Sequence, residues 1–268
     1  MDLQLAGKRA LVTGGSRGIG KAVARALAEE GVDVALLARG REALDAAAEE
    51  IRGATGRNVI GVSADTGDDA SVHSAVHQVV AALGGVDILV NCAAQPGGQG
   101  GRPPRAEEVS AEEHLNPEIN VKVMGYLRCA QAVIPYMKGT GWGRIINVSG
   151  LAARQSGSVV GSIRNVAVAA LTKNLADELG PLGITCTVVH PGLTRTEATA
   201  DVLARRAEAS GRSVEEVEQQ MAEGNSVRRI IDAEDIAYVV TMLASPRSIA
   251  LNGDAIAAGG GVPRAIYY

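Results

Sequence analysis

Short runs of β-branched residues alternate along this chain with longer stretches of helical periodicity. Seven runs are predicted as strands, and they lie in KRALVTG, VDVALLA, NVIGVSA, VDILVNC, GRIINVS, GITCTVVH and GDAIAAGG. The predicted helices between them fall near residues 18–30, 41–52, 68–83, 111–138, 158–180 and 233–244. This alternation is typical of repeated βαβ units. It predicts an α/β fold with a doubly wound parallel sheet.

The size and charge of the chain narrow its functional classes. No linker or repeat divides the 268 residues, so a single domain over 1–268 is predicted. A net charge of −4 and an aromatic content of 2% are unsuited to binding nucleic acid. No apolar run reaches the roughly 18 residues of a membrane span. We therefore expect neither a nucleic acid nor a membrane as partner.

The cysteines and histidines do not indicate a metal or disulfide site. Cys92, Cys129 and Cys186 are far apart and form no CxxC pair. Unpaired thiols suit a reducing compartment, so a cytoplasmic location is expected. His73 and His77 are one helical turn apart, but no acidic or Cys ligand set accompanies them. No metal site is predicted.

A glycine-rich loop, TGGSRGIG, follows the first predicted strand and opens an alanine-rich helix. Gly14 permits a tight turn, Gly18 lets the backbone approach a pyrophosphate, and Gly20 allows close helix-to-strand packing. The N-terminus of the helix then faces the anion. We predict a dinucleotide-binding loop whose contacts are Gly14, Ser16, Arg17, Gly18, Ile19 and Gly20.

The end of the second strand indicates which dinucleotide binds. An acidic residue there would bind the ribose 2′-hydroxyl and repel a 2′-phosphate. This chain has Ala38 and Arg39 instead, and Arg17 projects from the glycine-rich loop. Two guanidinium groups can hold a phosphate bidentately. NADP(H) is therefore favoured over NAD(H).

Two segments interrupt the alternation. Residues 95–105 are rich in Gly and Pro and follow a strand, where α/β folds place ligand-contacting loops. Residues 196–229 are polar and alternate in charge, and we predict a helical substrate flap at about 193–230. A solvated surface excursion is the alternative for each segment.

Several motifs together resemble the pattern of the short-chain dehydrogenase/reductase family. They are TGGSRGIG, Ala64-Asp65-Thr66, Asn91-Cys92-Ala93-Ala94, GRIINVS, and Pro191-Gly192 followed by Thr194 and Thr196. The likeness runs from about Leu3 to the closing AIAAGGG. It implies a Rossmann-like sheet of about seven strands in the order 3-2-1-4-5-6-7, with helices on both faces.

The resemblance also implies a reaction and further cofactor contacts. The reaction is hydride transfer between a nicotinamide and a carbonyl or alcohol of a small molecule. Long helices pair between subunits in this family, so a homotetramer or homodimer is expected. Asp65 would hold the adenine and Asn91 and Ala93 would line the ribose. The residues that would flank the nicotinamide are Pro191, Gly192, Thr194 and Thr196.

The catalytic pair of the family is missing from its expected place. In the family a Tyr acts as general acid and base, and a Lys four residues later lowers its pKa. Aligned on LTKNLADEL, this chain has Gly161 and Asn165 at those positions. Aligned on GRIINVSG, it has Ile163 and Ala167, and no tyrosine occurs within 137–237. An atypical active site is therefore predicted.

A second departure suggests a compensation. The helix Asn of the family falls on Lys122, or on Asn120 if two residues are inserted. In the first register Lys122 and Asn165 have exchanged places, which would leave an ammonium beside the nicotinamide to polarise a carbonyl. Tyr126, one helical turn beyond, could serve as the acid. Ser149 is predicted to orient the substrate.

Three functions remain open at this point. The first is an NADP(H)-dependent oxidoreductase with a rearranged acid/base group. The second is a nucleotide-binding sensor or scaffold without turnover, and the third is a lyase or isomerase on the same fold. Two residue roles are also open: the family's Ser corresponds to Ser149 or to Gly150, and His190 is either a proton carrier or a packed residue.

Overall fold

A computed structural model describes residues 2–94 and 103–263 of the chain. The first eight positions of the predicted loop at 95–105 therefore lie outside the described residues. The strands are β1 Arg9–Thr13, β2 Asp33–Ala38, β3 Val59–Ser63, β4 Ile88–Asn91, β5 Gly143–Val148, β6 Ile184–Pro191, β7 Thr194–Arg195, β8 Ile231–Asp232 and β9 Ala255–Ala258. The α-helices are α1 Gly18–Glu29, α2 Arg41–Thr55, α3 Asp69–Leu83, α4 Asn116–Glu118, α5 Gly125–Thr140, α6 Val159–Leu179, α7 Thr199–Ser210, α8 Val214–Ala222 and α9 Ala233–Ala244.

Seven of these strands form one sheet, in which every neighbouring pair is parallel. Its order is β3-β2-β1-β4-β5-β6-β9. The predicted order is confirmed, because β7 and β8 pair only with each other and β9 is the seventh strand of the sheet. The single-domain, doubly wound α/β fold is confirmed with it.

Apolar side chains cover both faces of the sheet. On one face, strand residues pack with α1, α2 and α9 through residues such as Leu27, Leu44 and Val240. On the other face they pack with α3, α5 and α6 through residues such as Val76 and Val133. A strand that is buried on both faces needs a continuous apolar run rather than an alternating one. This explains why the strands appear in the sequence as unbroken β-branched segments.

The helix predicted over 111–138 is interrupted. Its residues form a π-helical turn at Ala111–Leu115, then α4, a second π-helical turn at Ile119–Met124, and finally α5. Pro117 lies at the start of α4 and has no N–H for the helical ladder, which contributes to the break. Lys122 lies in the second π turn, and its side chain is buried.

The polar segment before the last helix is helical, as predicted. α7 and α8 pack together through the buried side chains of Leu203, Ala207 and Val217, which form a small separate core. At the base of this pair, Arg195 of β7 forms ion pairs with Glu218 of α8 and Asp232 of β8. The two helices are therefore fixed to the main domain through β7 and β8.

Three further observations concern the cysteines, possible metal ligands and the length of the helices. The three thiols are free. Across residues 2–94 and 103–263, no three His, Cys, Asp or Glu side chains converge as a metal site would require. No helix in the same part of the chain is long and apolar enough to cross a membrane.

The carboxyl ends of four central strands meet at one edge of the sheet. β1 ends at Thr13, β4 at Asn91, β5 at Val148 and β6 at Pro191. The strand order reverses between β1 and β4. In open α/β sheets, ligands bind in the crevice outside the strand ends at such a reversal. The candidate site is therefore sought there.

Candidate active site

The turn after β1 leaves no room for side chains. Gly14 has a φ of +68°, and a Cβ placed on it would lie 3.0 Å from the backbone nitrogen of Ala93. A Cβ on Gly20 would lie only 2.3 Å from the carbonyl oxygen of Gly14. Thr13 Oγ1 accepts a hydrogen bond from the same Ala93 nitrogen at 3.1 Å. The turn and the start of α1 are thus packed backbone against backbone.

The first amide of α1 already holds an anion. The Gly18 N–H donates to a carboxylate oxygen of Glu197 at 2.9 Å. The methyl group of Thr196 lies 3.3 Å from the position that a Cβ on Gly18 would take. A helix N-terminus binds anions through its unpaired amides and its dipole. The corner is therefore chemically suited to a phosphate, and the Glu197 carboxylate occupies part of the position that a phosphate would take.

Two arginines border this corner. Arg17 precedes α1 and Arg39 follows β2, and both are exposed. Neither guanidinium forms an ion pair with another described residue, whereas Arg41 pairs with Asp45 at 2.8 Å. The Ser63 hydroxyl donates to the Arg39 carbonyl at 3.0 Å, which fixes the backbone of that turn. Two unpaired cations are thus available to a ligand.

The residues predicted to contact adenine and ribose differ in accessibility. Asp65 is partly exposed, and one of its carboxylate oxygens accepts from the Gly67 N–H at 2.8 Å. Asn91 is completely buried, and its amide nitrogen donates to Asn147 Oδ1 at 2.9 Å. The amide nitrogen of Asn91 is thus held by Asn147, while its Oδ1 has no hydrogen-bond partner within residues 2–94 and 103–263. Ala93 remains at the edge of the cleft, against Gly14.

The segment after β6 passes over the mouth of the glycine-rich loop. Gly192 packs against Gly259, where a Cβ would lie 2.9 Å from its Cα. The Thr194 hydroxyl donates to the Gly192 carbonyl at 3.1 Å. The Thr196 N–H donates to Thr199 Oγ1 at 2.8 Å. The predicted nicotinamide-flanking residues thus lie in an ordered turn between β6 and α7.

Three of the four predicted catalytic residues meet at the end of β5. The Lys122 ammonium donates to the carbonyl oxygen of Ser149 at 2.9 Å. The Ser149 hydroxyl is 3.1 Å from both the carbonyl oxygen and the Oδ1 of Asn165. Lys122, Ser149 and Asn165 are 4%, 8% and 2% exposed. The structure therefore brings together side chains from three separate elements, on the π turn, the end of β5 and α6.

Tyr126 lies on the same side as Lys122 but deeper. Its hydroxyl donates to the carbonyl oxygen of Val148 at 2.8 Å, and the residue is 1% exposed. Burial raises the pKa of the phenol well above its usual value, because the phenolate would be desolvated. A phenol in this position keeps its proton and does not reach the cleft. The acid role predicted for Tyr126 has no support in this geometry.

The charge environment of Lys122 brings its titration close to neutrality. The pKa of the ammonium is lowered to about 7, chiefly by burial and secondly by the nearby Arg164 guanidinium. Cys92 and Glu118 act in the opposite direction. Arg164 and Glu118 are themselves joined in an ion pair between α6 and α4. The pKa of Lys122 thus depends on its burial and on neighbours that act in both directions.

His190 does not behave as a proton carrier near neutral pH. It is 1% exposed, and burial together with Arg154 and Lys122 lowers its pKa to about 4. Its imidazole is therefore neutral at pH 7. Its Nδ1 has no hydrogen-bond partner within residues 2–94 and 103–263. The burial of His190 favours a packing role over that of a proton carrier.

Sequence reasoning missed three residues of the site. Glu118 precedes Lys122 by four positions, and this spacing of opposite charges on a helix was a usable signal. Arg164 directly precedes Asn165, but its pairing with Glu118 spans 46 residues. Glu197 contacts Gly18 across 179 residues, and no local pattern indicates that contact.

Comparison with known proteins identifies the family. Residues 8–207 match the family model described as short chain dehydrogenase. The chain belongs to this family. Among curated relatives, the short-chain reductase protein NovJ of Streptomyces niveus is 35% identical over 255 residues, which cover 95% of this chain and 93% of NovJ.

Solved structures of short-chain dehydrogenase relatives superpose over nearly the whole chain. L-Sorbose reductase from Gluconobacter frateurii, solved with NADPH and L-sorbose, has a TM-score of 0.90 at 27% identity and covers 99% of this chain and 100% of its own. A variant of actinorhodin polyketide ketoreductase solved with NADPH has a TM-score of 0.87 at 29% identity, with coverages of 96% and 98%.

The packing of the glycine corner predicts opposite effects for two Gly→Ala substitutions. Gly20→Ala places a methyl against the Gly14 carbonyl, so the backbone must move and stability falls by about 1–3 kcal/mol. Gly53→Ala, on an exposed turn of α2 with no atom within 4 Å of the new methyl, adds about 0.5–1 kcal/mol. Thermal unfolding followed by circular dichroism measures both. An unchanged melting temperature for Gly20→Ala would contradict the contact.

Proposed function

We propose that this protein is an NADP(H)-dependent oxidoreductase that acts on a carbonyl or alcohol of a small molecule and uses Lys122 in place of the family's phenol. One observation carries the proposal. The Lys122 ammonium lies at the end of β5, hydrogen-bonded to the residue whose hydroxyl bonds Asn165. The end of β5 lies at the same edge of the sheet as the glycine corner, and the nicotinamide of a dinucleotide bound on that corner would lie there.

The residues of the corner fit a dinucleotide. The α1 amide that holds the Glu197 carboxylate is suited to a pyrophosphate, and Gly14 and Gly20 contribute no side chains of their own to the turn. Unpaired Arg17 and Arg39 are suited to a 2′-phosphate. Relatives with the same fold were solved with NADPH. These features favour NADP(H) over NAD(H).

The choice of cofactor yields a prediction with a control in the same turn. Arg39→Ala removes a charge-assisted contact to the 2′-phosphate and should weaken NADPH binding roughly tenfold, while NADH binding stays unchanged. Arg41→Ala is the control, because Arg41 is two residues away and already paired with Asp45. Fluorescence titration with each dinucleotide measures the affinities. An equal loss for NADPH and NADH would contradict the assignment of Arg39.

The glycine corner, with Arg17 and Arg39, would hold the cofactor, which when bound would supply hydride chemistry for the carbonyl carbon of the substrate. The Lys122 ammonium donates a proton to the carbonyl oxygen, and in the reverse direction the neutral amine accepts it. A general acid works best when its pKa is close to the working pH. Burial, which brings the pKa of Lys122 to about 7, therefore suits the amine to both directions.

Ser149 and Asn165 position this group. The Ser149 carbonyl fixes the ammonium, and the Ser149 hydroxyl is in turn held by Asn165. We assign Tyr126 a supporting role, because its hydroxyl binds the carbonyl of Val148, next to the one that binds Lys122. Two adjacent carbonyls of the same strand end are thus tied to one helical segment. The proposed substrate flap, at 193–230, would close the cleft above them.

The pH dependence of turnover tests the role of Lys122. Carbonyl reduction needs the ammonium, so kcat/KM should fall as pH rises through about 7, and alcohol oxidation should rise over the same range. Arg164→Gln removes a repelling charge and frees Glu118, so the midpoint should rise. Glu118→Gln should lower it for the opposite reason. Initial rates measured by absorbance at 340 nm over a range of pH give the midpoint of the kcat/KM profile for each variant.

An exposed charge far from the site provides the control for these profiles. Lys138→Gln lies in the last turn of α5 and should leave the midpoint unchanged. An electrostatic origin requires the midpoints of Arg164→Gln and Glu118→Gln to shift in opposite directions. Shifts in the same direction would contradict it and would indicate a shared structural disturbance.

A second function is favoured by one observation: the only phenol near the end of β5 in the described chain is buried and holds its proton. A nucleotide-binding protein without turnover would need no acid. Micromolar NADPH binding without any change at 340 nm, over a broad panel of carbonyls and alcohols, would favour this second function over the first.

We also propose that the protein is a cytoplasmic homotetramer or homodimer. Val159, Ile163 and Val166 are spaced as one face of α6 and are 41%, 44% and 50% exposed. An apolar helical face of this kind suits pairing with a second subunit.

A further inference from the structure

Glu197 is an exposed residue whose carboxylate nevertheless has a defined position. One of its oxygens accepts from the Gly18 N–H at 2.9 Å. Within residues 2–94 and 103–263 it has no other hydrogen bond or ion pair. An exposed glutamate that forms no ion pair would ordinarily remain in solvent. Its attachment to the amide at which α1 begins therefore needs an explanation.

The backbone around Glu197 directs the carboxylate to this amide. Two residues earlier, Arg195 is paired with both Glu218 and Asp232. One residue earlier, the Thr196 N–H is bonded to Thr199 Oγ1, and the Thr196 methyl rests over Gly18. The segment is thus fixed on each side of Glu197. The carboxylate reaches α1 because the fold holds its backbone there.

The Gly18 amide is also one that a bound pyrophosphate would need. A single N–H directed along a helix axis cannot serve two anions, and a carboxylate next to a pyrophosphate would repel it. We propose that Glu197 is an affinity-determining residue, which occupies part of the pyrophosphate position in the free protein and leaves it when the dinucleotide binds. This inference rests on the proposed NADP(H) site.

The structure leaves room for the carboxylate to move. A cavity of about 310 Å³ lies beside Glu197 and extends along α1 to Lys21 and Arg25. Lys21 and Arg25 are each in an ion pair with a glutamate, Glu50 and Glu29 respectively. The displaced carboxylate can therefore turn toward positive charge without unfolding the segment. Binding then exchanges one anion for another on the same amide.

Substitution of Glu197 should therefore strengthen binding, which is unusual for a residue in contact with a ligand site. Glu197→Gln keeps the size of the side chain and removes its charge. A charge on an exposed helix N-terminus is worth little, so we expect NADPH to bind roughly two- to fivefold more tightly. Asp201→Asn is the matched control, since Asp201 is exposed in the first turn of α7 and lies one helical turn further along the same segment.

The experiment is a calorimetric titration of wild type, Glu197→Gln and Asp201→Asn with two ligands. NADPH carries the pyrophosphate, and adenosine 2′-monophosphate carries only the 2′-phosphate and adenine. The gain in Glu197→Gln should appear with NADPH and be absent with adenosine 2′-monophosphate. Asp201→Asn should match wild type with both. Melting temperatures of the three proteins, measured without ligand, verify that each is folded.

Two outcomes would overturn the inference. Equal or weaker NADPH binding by Glu197→Gln would show that the carboxylate does not compete. An equal gain with both ligands would show a general charge effect rather than competition for one amide. Failure of the NADP(H) site itself would look different, because neither wild type nor Glu197→Gln would then bind NADPH or adenosine 2′-monophosphate.

Discussion

The hydrogen bond from the Lys122 ammonium to the Ser149 carbonyl joins the elements that form the candidate active site. A buried cation without a partner costs several kcal/mol, so a lysine that is 4% exposed must find an acceptor or lose its proton. Here the acceptor is the first carbonyl beyond β5. The π turn at Ile119–Met124 is thereby anchored to the sheet. Asn165 of α6 is anchored to the same residue through the Ser149 hydroxyl.

The cofactor half depends on a different kind of interaction. Its turn, its close approaches and its anion-binding amide all come from the backbone around Gly14, Gly18 and Gly20. An anion-binding site built from backbone atoms does not depend on which side chains lie at the end of β5. This independence is compatible with our proposal that Gly161 and Asn165 take the positions at which the family has its tyrosine and its lysine.

Much of the architecture was predictable from sequence because it rests on local patterns. Buried parallel strands have continuous β-branched runs, and the glycines of the first turn lie between a strand and a helix. The π turns were not predictable, since a change of hydrogen-bond register leaves the apolar spacing of 111–138 nearly intact. Lys122 lies in the second of these turns, and its ammonium is bonded to the Ser149 carbonyl at the end of β5. The resemblance placed Lys122 beside a nicotinamide, and its hydrogen bond to the Ser149 carbonyl was not predicted.

The depth of side chains was the least predictable property of the site. Tyr126 and Lys122 are one helical turn apart and lie on the same side of their helical segment. The spacing does not reveal that the Tyr126 hydroxyl is bonded to the Val148 carbonyl and shielded from solvent. Asn91 was expected at a ribose and is instead buried against Asn147. Contacts such as Glu197 with Gly18 join residues 179 positions apart and depend on the complete fold.

Chemical rescue tests the central claim most directly, which is that the amine of Lys122 supplies the proton. In Lys122→Ala, carbonyl reduction with NADPH should be lost while NADPH binding is retained. Added small primary amines should restore turnover in proportion to their concentration, and more effectively the closer their pKa lies to the assay pH. Turnover by Lys122→Ala equal to that of wild type without added amine would contradict the account, and so would a loss that no amine restores.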